Sequence, residues 1–188
     1  MASTKDRLSK EAARQFAQKG YHGTSIGDLA GALGLHKSSV YTHINGKEDL
    51  LAQIALAGSQ AFHESLDTLP TAAGAADKLR LALGSHLRTV ASQLGVAMIW
   101  LHEWRHLTGS SREEFLAGRR IYEQRISKLF EEAVANGDLV PDLDVKQATL
   151  IYLSVANWSY AWLRAEDPID SIADSLWESL LVSWRSPA

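Results

Sequence analysis

Apolar residues in the first fifty positions recur at helical spacing, in short blocks separated by glycine. Ile26, Leu29, Ala30 and Leu33 form a stripe that predicts a helix over 25–33. Ser25 stands before it as an N-cap, with Asp28 three residues on, where a carboxylate favours the first turn. Gly34 follows at a turn position that a side chain would resist. Leu35 and Val40 anchor a second short helix over 36–43 and leave Lys37, Ser38, Ser39, Tyr41, Thr42 and His43 on its outer side. Asn45 with Glu48 reads as a capping pair that opens a third helix. Lys47 lies in its first turn, where the helix dipole does not favour a cation and a nearby phosphate would. Two short helices joined by a glycine turn are the layout of a helix-turn-helix, in which one helix crosses the DNA backbone and the next enters the major groove.

The helical period continues to the end of the chain. Helices are predicted near 5–19, 25–33, 36–43, 46–67, 74–93, 95–107, 111–136, 144–165 and 168–185. Gly109-Ser110-Ser111 with Glu113 and Glu114 marks one start, and Asn136-Gly137 marks the end of that helix. Asp144 with Gln147 caps the next, and Asp167-Pro168 puts a cap before a first-turn proline. No segment alternates with period two for long, and no internal repeat is present. The expected fold is therefore all-α, with about nine helices. A helix-turn-helix domain over 1–50 precedes a second helical domain over 51–188, the boundary falling within the shared fourth helix.

Composition narrows the setting. A chain of 188 residues fits one or two domains and buries a real core. It has no cysteine, which excludes disulfides and thiolate metal sites and agrees with a reducing compartment. The start Met-Ala-Ser-Thr-Lys-Asp-Arg lacks the apolar region of a signal peptide, and no stretch approaches the length of a membrane span. A cytoplasmic protein without a membrane partner is expected. The formal net charge is −3, which hides an asymmetry: residues 1–50 carry seven Lys/Arg against five Asp/Glu, and the remainder twelve against seventeen. The first fifty residues are thus mildly basic, as a DNA-facing segment should be.

The residues that carry these signals also form an unbroken pattern. Phe16, Ala17, Gly20, Tyr21, Thr24, Ser25, Ile26, Leu29, Ala30, Leu33 and Gly34, continued by Ser39, Tyr41, His43, Ile44, Lys47, Glu48, Leu50 and Leu51, resemble the DNA-binding domain of the TetR family of transcriptional regulators. The resemblance implies that Thr24 and Ser25 bond phosphates where the second helix starts. It places Lys37, Ser38, Ser39, Thr42 and His43 at base edges or nearby phosphates, and gives Tyr41 and Lys47 the backbone. Short hydroxyls and a lysine suit groove edges, while phosphate contacts fix register. Two features depart from the family's usual pattern: Gly27 and Gly31 weaken the second helix by up to about 1 kcal/mol each, and Ile26 replaces a charged residue that some relatives use to read bases.

The last two helices hold Trp158, Trp162, Trp177 and Trp184 with Tyr152 and Tyr160. They read either as ordinary core or as an interface core, where aromatics are enriched. TetR-like proteins dimerise through their final two helices, so the resemblance implies a homodimer whose two recognition helices meet half-sites about 34–36 Å apart on a palindromic double-stranded operator.

The middle of the chain is the candidate effector region. Trp100, Leu101, Trp104 and Leu107 form one stripe, and Arg119, Tyr122, Arg125 and Ile126 follow on the next helix. With Glu103, Trp158 and Trp162 these supply the apolar walls and few polar groups that a small-molecule site needs. The alternative is that the tryptophans fill core and the arginines are solvated. The run 136–144 resembles TetR-type regulators of lipid and steroid breakdown, several of which respond to acyl-CoA thioesters, with Arg105, Arg119, Arg120 and Arg125 as candidates for the phosphates.

His102-Glu103-Trp104-Arg105-His106 matches the zinc-peptidase sequence HExxH. On one helix His102 and His106 would share a face and Glu103 would act as general base. Such an enzyme also needs a third ligand and a substrate-binding strand, and no strand is evident. No other catalytic constellation stands out, and no cofactor is implied. The favoured reading is a ligand-responsive DNA-binding regulator, a repressor released by its effector. A helical sensor that does not bind DNA and, more remotely, a zinc hydrolase are the alternatives.

Overall fold

Capping residues decide where the first helices begin. The computed structural model describes residues 3–185. Helix α1 (Thr4–Lys19) starts at Ser3, whose hydroxyl accepts from the Asp6 N–H while the Asp6 carboxylate accepts from the Ser3 N–H. Helix α2 (Ile26–Leu33) repeats the device with Ser25 and Asp28 and stops at Gly34, whose backbone is left-handed at φ 67°, ψ 31°. Helix α3 (Lys37–Val40) is only four residues long, shorter than the 36–43 predicted. Its serines and threonine compete with the helix for backbone groups, and Thr42 donates its hydroxyl to Ser39 O as the chain leaves in turns.

Helix α4 (Lys47–Asp67) begins where expected but with a different cap. The Asp49 carboxylate accepts the Asn45 N–H at 3.0 Å, and Glu48 instead accepts from the Thr108 N–H and hydroxyl. Helices α5 (Ala75–Ser92), α6 (Leu94–Leu101), α7 (Gly109–Ala135), α8 (Val145–Trp158) and α9 (Ile169–Leu181) follow. The helix predicted over 95–107 stops at Leu101 because His102, at φ −127°, ψ −54°, leaves the helical region; Glu103–His106 form a separate 3-10 turn, η1. The helix predicted over 144–165 stays right-handed at Trp158, φ −71°, ψ −10°, but tightens there into a second 3-10 turn, η2 (Ser159–Ala161). At α9 it is Pro168 that occupies the cap position, and Asp167 accepts from the Arg164 N–H instead. Among the described residues the sole extended pairing is an isolated antiparallel bridge between Leu139 and Arg185.

The helices pack as two compact units that alternate along the chain. The first holds the chain up to Gln60 together with Gln93–Gly118. Here α1 crosses α6 at Gly95, where a Cβ would stand 3.1 Å from Ala13 O, and Leu8, Phe16, Leu29, Val40 and Leu51 are buried, as are Trp100 and Phe115. The second unit runs over Ala61–Ser92 and from Arg119 onward. In it α5 packs on α8 and α9, with Leu79, Leu83, Phe130, Tyr152 and Trp177 in the core and the Tyr152 hydroxyl donated to Leu79 O at 2.8 Å. Arg80 reaches Asp174 and Arg88 reaches Asp170 across the exposed edge of α5 and α9, where such pairs contribute about 0–1 kcal/mol. No helix among the described residues is long and apolar enough to cross a membrane.

Candidate DNA interface and effector residues

The first unit presents α3 as its polar surface. Val40 and Ile44 are buried and hold the short helix down, which leaves Lys37, Ser38, Tyr41, Thr42 and His43 exposed and Ser39 half-buried. Tyr41 is half exposed, at 51 %. An exposed phenol beside a lysine and three hydroxyl groups can donate to phosphate oxygens and to base edges. Ser25 is exposed at the start of α2, where its hydroxyl both caps the helix and donates to the Asp28 carboxylate at 2.7 Å. Those bonds from the Ser25 hydroxyl and amide hold the Asp28 carboxyl below its usual range.

Two residues assigned to phosphate have other partners here. Thr24 is buried, and its hydroxyl donates to Gly20 O at 3.1 Å, so that side chain is turned inward. The Lys47 ammonium donates to Tyr21 O at 2.8 Å and Thr24 O at 3.1 Å and stands 4.1 Å from the centre of the Tyr21 ring. Those two carbonyls and the ring supply the reason for a cation in the first turn of α4 that the helix dipole does not.

The HExxH sequence is broken by the end of α6. His102 terminates that helix while Glu103 and His106 lie in η1, so the two histidines do not share an α-helical face. The Glu103 carboxylate accepts the Tyr21 N–H at 2.7 Å, and the His106 ring stacks on the Tyr21 ring at 5.3 Å. Among the described residues no group of three or more His, Asp or Glu is arranged to hold a metal ion.

The assigned effector residues divide between the units. Trp100 and Trp104 pack against Phe115 in the first unit, and Glu103 lies there too. Arg119, Tyr122, Arg125, Trp158 and Trp162 belong to the second. Arg125 donates to His63 O and the Asp67 carboxylate. Tyr122 is fully buried, with its hydroxyl 2.9 Å from His86 Nδ1. Burial pushes the Tyr122 phenol up and the His86 imidazole down to about 3. His86 went unnoticed in the sequence, although it continues the apolar stripe Leu79, Ala82, Leu83 and Leu87 of α5. By contrast Trp158 and Trp162 are 62 % and 41 % exposed, and Leu150 and Ile151 of α8 are exposed as well. In the second unit a groove of about 440 Å³ is lined by Ser65, Thr68, Ser85, Arg88 and Thr89.

Residues 8–54 match the family described as "Bacterial regulatory proteins, tetR family", and residues 72–183, more than half of the chain, match "Tetracyclin repressor-like, C-terminal domain". The chain belongs to the TetR family. As a TetR protein it is a DNA-binding transcriptional regulator with an N-terminal helix-turn-helix and a helical C-terminal domain. Over 175 residues it is 25 % identical to the HTH-type transcriptional repressor KstR2 of Mycolicibacterium smegmatis, covering 90 % of this chain and 84 % of that one. The TetR regulator PfmR of Thermus thermophilus superposes with a TM-score of 0.86 at 28 % identity, covering 95 % of this chain and 98 % of PfmR. AibR, solved in complex with isovaleryl coenzyme A and operator DNA, superposes with a TM-score of 0.85 at 27 % identity over 94 % of this TetR chain and 97 % of AibR.

Proposed function

We propose that this regulator is a repressor that binds a palindromic operator as a homodimer and is released by a small-molecule effector of the acyl-CoA class. The observation that carries the DNA half is the exposed set Lys37, Ser38, Tyr41, Thr42 and His43 on a helix held down by Val40. Ser25 and Ser39 complete the proposed contact set, with Thr24 and Lys47 acting from behind it. The likeness to AibR, whose structure holds isovaleryl coenzyme A, supports the effector class. Exposed Leu150, Trp158 and Trp162, on α8 and just after it, support a dimer through the last two helices, because exposed apolar groups gain when a second copy covers them.

Residues 1–50 are the DNA-binding domain in this reading and residues 51–188 the effector and dimerisation domain. Arg119, Tyr122 and Arg125 are the proposed effector contacts there, joined by His86. The protein acts in the cytoplasm and catalyses no reaction. Release follows from population shift: the effector weakens DNA binding only through a higher affinity for the state that does not fit the operator.

An electrophoretic mobility shift with DNA upstream of the chain's own gene tests the reading. A shifted band is expected, dissolved by one acyl-CoA in a series from short branched to long straight chains. A band that no thioester alters removes the effector class, and the absence of any band removes the operator.

A further inference from the structure

We infer that Glu103 and Lys47 are positioning residues for operator recognition, which grip the two polar backbone groups of Tyr21 and so fix the loop from which α2 starts. This rests on the operator-binding reading above. Tyr21 is held through both backbone polar groups and its ring. Its N–H donates to Glu103 Oε2 at 2.7 Å and its carbonyl accepts from Lys47 Nζ at 2.8 Å. One face of the phenol meets the Lys47 ammonium, and the His106 ring lies nearly parallel to it at an interplanar angle of 16°. The two gripping charges come from distant parts of the chain, one opening α4 and the other opening η1.

The chemistry favours a pin over a chance contact. Glu103 is only 7 % exposed, so its carboxylate must be satisfied by protein. Its second oxygen lies 3.2 Å from His102 Nδ1, and His106 Nε2 stands 3.9 Å from the first. Lys47 spends two of its donors on the carbonyls of Tyr21 and Thr24. Bonds with one ionised partner are shorter and about twice as strong as neutral ones. Between Tyr21 and the cap residue Ser25 lie only His22, Gly23 and Thr24, and Thr24 is itself tied back to Gly20 O. A loop held at both ends of so short a span leaves α2, the Gly34 turn and α3 little freedom. The acidic residue in the zinc-peptidase-like sequence is thus a backbone acceptor.

The test uses the full chain as wild type, Glu103→Ala, Glu103→Gln and Lys47→Ala, at a temperature where circular dichroism shows all four folded. Fluorescence anisotropy on an operator selected from a random duplex pool is read across salt. Glu103→Ala is expected to bind about 10- to 100-fold more weakly, the range for losing a charged hydrogen bond. Its slope of log affinity against log salt should be unchanged, and Glu103→Gln, which keeps an acceptor, should recover most of the affinity. Lys47→Ala should also weaken binding at constant slope, whereas a slope reduced by about one identifies a phosphate contact and overturns its share of the pin. Amide exchange of Tyr21 without DNA separates the pin from the operator reading. Exchange should quicken about tenfold or more in Glu103→Ala and slow again in Glu103→Gln. Unaltered Tyr21 exchange, or Glu103→Ala binding like wild type, overturns the inference. Wild type that binds no duplex but shows Glu103-dependent protection overturns the operator reading and leaves the pin supported.

Discussion

His86 is fully buried in α5, with Nδ1 2.9 Å from the Tyr122 hydroxyl and the Phe62 ring tilted against it at 4.6 Å. Desolvation of the charged form holds its pKa down to about 3, against about 6.5 in the unfolded chain. The sign follows from proton counting. Below pH 6.5 the unfolded chain takes up a proton that the folded chain refuses until about pH 3, so stability falls as pH drops through that window. At pH 5 the loss is about 2 kcal/mol, a large share of the roughly 5–15 kcal/mol that holds a domain folded. His86→Gln removes the titrating group and keeps an amide in reach of Tyr122, at a cost near about 1 kcal/mol at pH 7.5. Urea unfolding followed by circular dichroism, at one protein concentration, gives the stability of both proteins at pH 7.5, 6 and 5. Wild type should lose about 2 kcal/mol more than the variant over that range. The carboxyls of Asp6, Glu11, Asp28 and Asp49 are all held low by hydrogen bonds, chiefly from Ser3, Arg14, Ser25 and Asn45 respectively. They are common to both proteins and cancel from the difference. Parallel curves from pH 7.5 to 5 would show that His86 is not refused its proton, and the reasoning would fail.

Trp158→Glu should leave the protomer folded, since the ring is 62 % exposed, and shift sedimentation from dimer to monomer at micromolar concentration; a dimer of unchanged affinity removes α8 from the interface. Tyr41→Ala should weaken operator binding with its salt slope unchanged, because a neutral phenol releases no counterion, while sedimentation stays that of wild type, and normal binding would cancel the contact assignment. Gly23→Ala should cost about 1–3 kcal/mol, because a Cβ there collides with the Lys19 carbonyl; a melting temperature equal to wild type would show that the loop gives way freely.

The sequence carried several helix boundaries well because their caps are local chemistry. Ser25 with Asp28, Gly34 and Asp144 are legible caps, and the structure uses all three. The failures lie where a distant residue decides. Glu48 was a plausible cap until Thr108 took it, and no residue near Glu48 in the chain could reveal that. Helix α6 ends at Leu101 although the apolar stripe runs on to Leu107, since backbone dihedrals at His102 leave no trace in periodicity. Among site residues, the outward set on α3 followed from which positions had to be buried. Lys47 reads as needing a nearby phosphate, whereas the structure brings it two carbonyls from the loop after α1. His86 sat in plain view on a buried stripe, and only its partner Tyr122, 36 residues on, was out of reach.

The alternation of the two units along the chain bears on how such proteins can be recombined. A DNA-reading head cut out at residue 50 leaves behind Glu103, His106 and Thr108, the residues that hold its loop and the start of α4. A chimera that joins this head to a foreign sensor at a single seam would inherit the operator-reading letters without their frame. Carrying residues 93–118 across as a second insert keeps those partners with the head, so the compact unit that holds α3 moves as two pieces of chain rather than one.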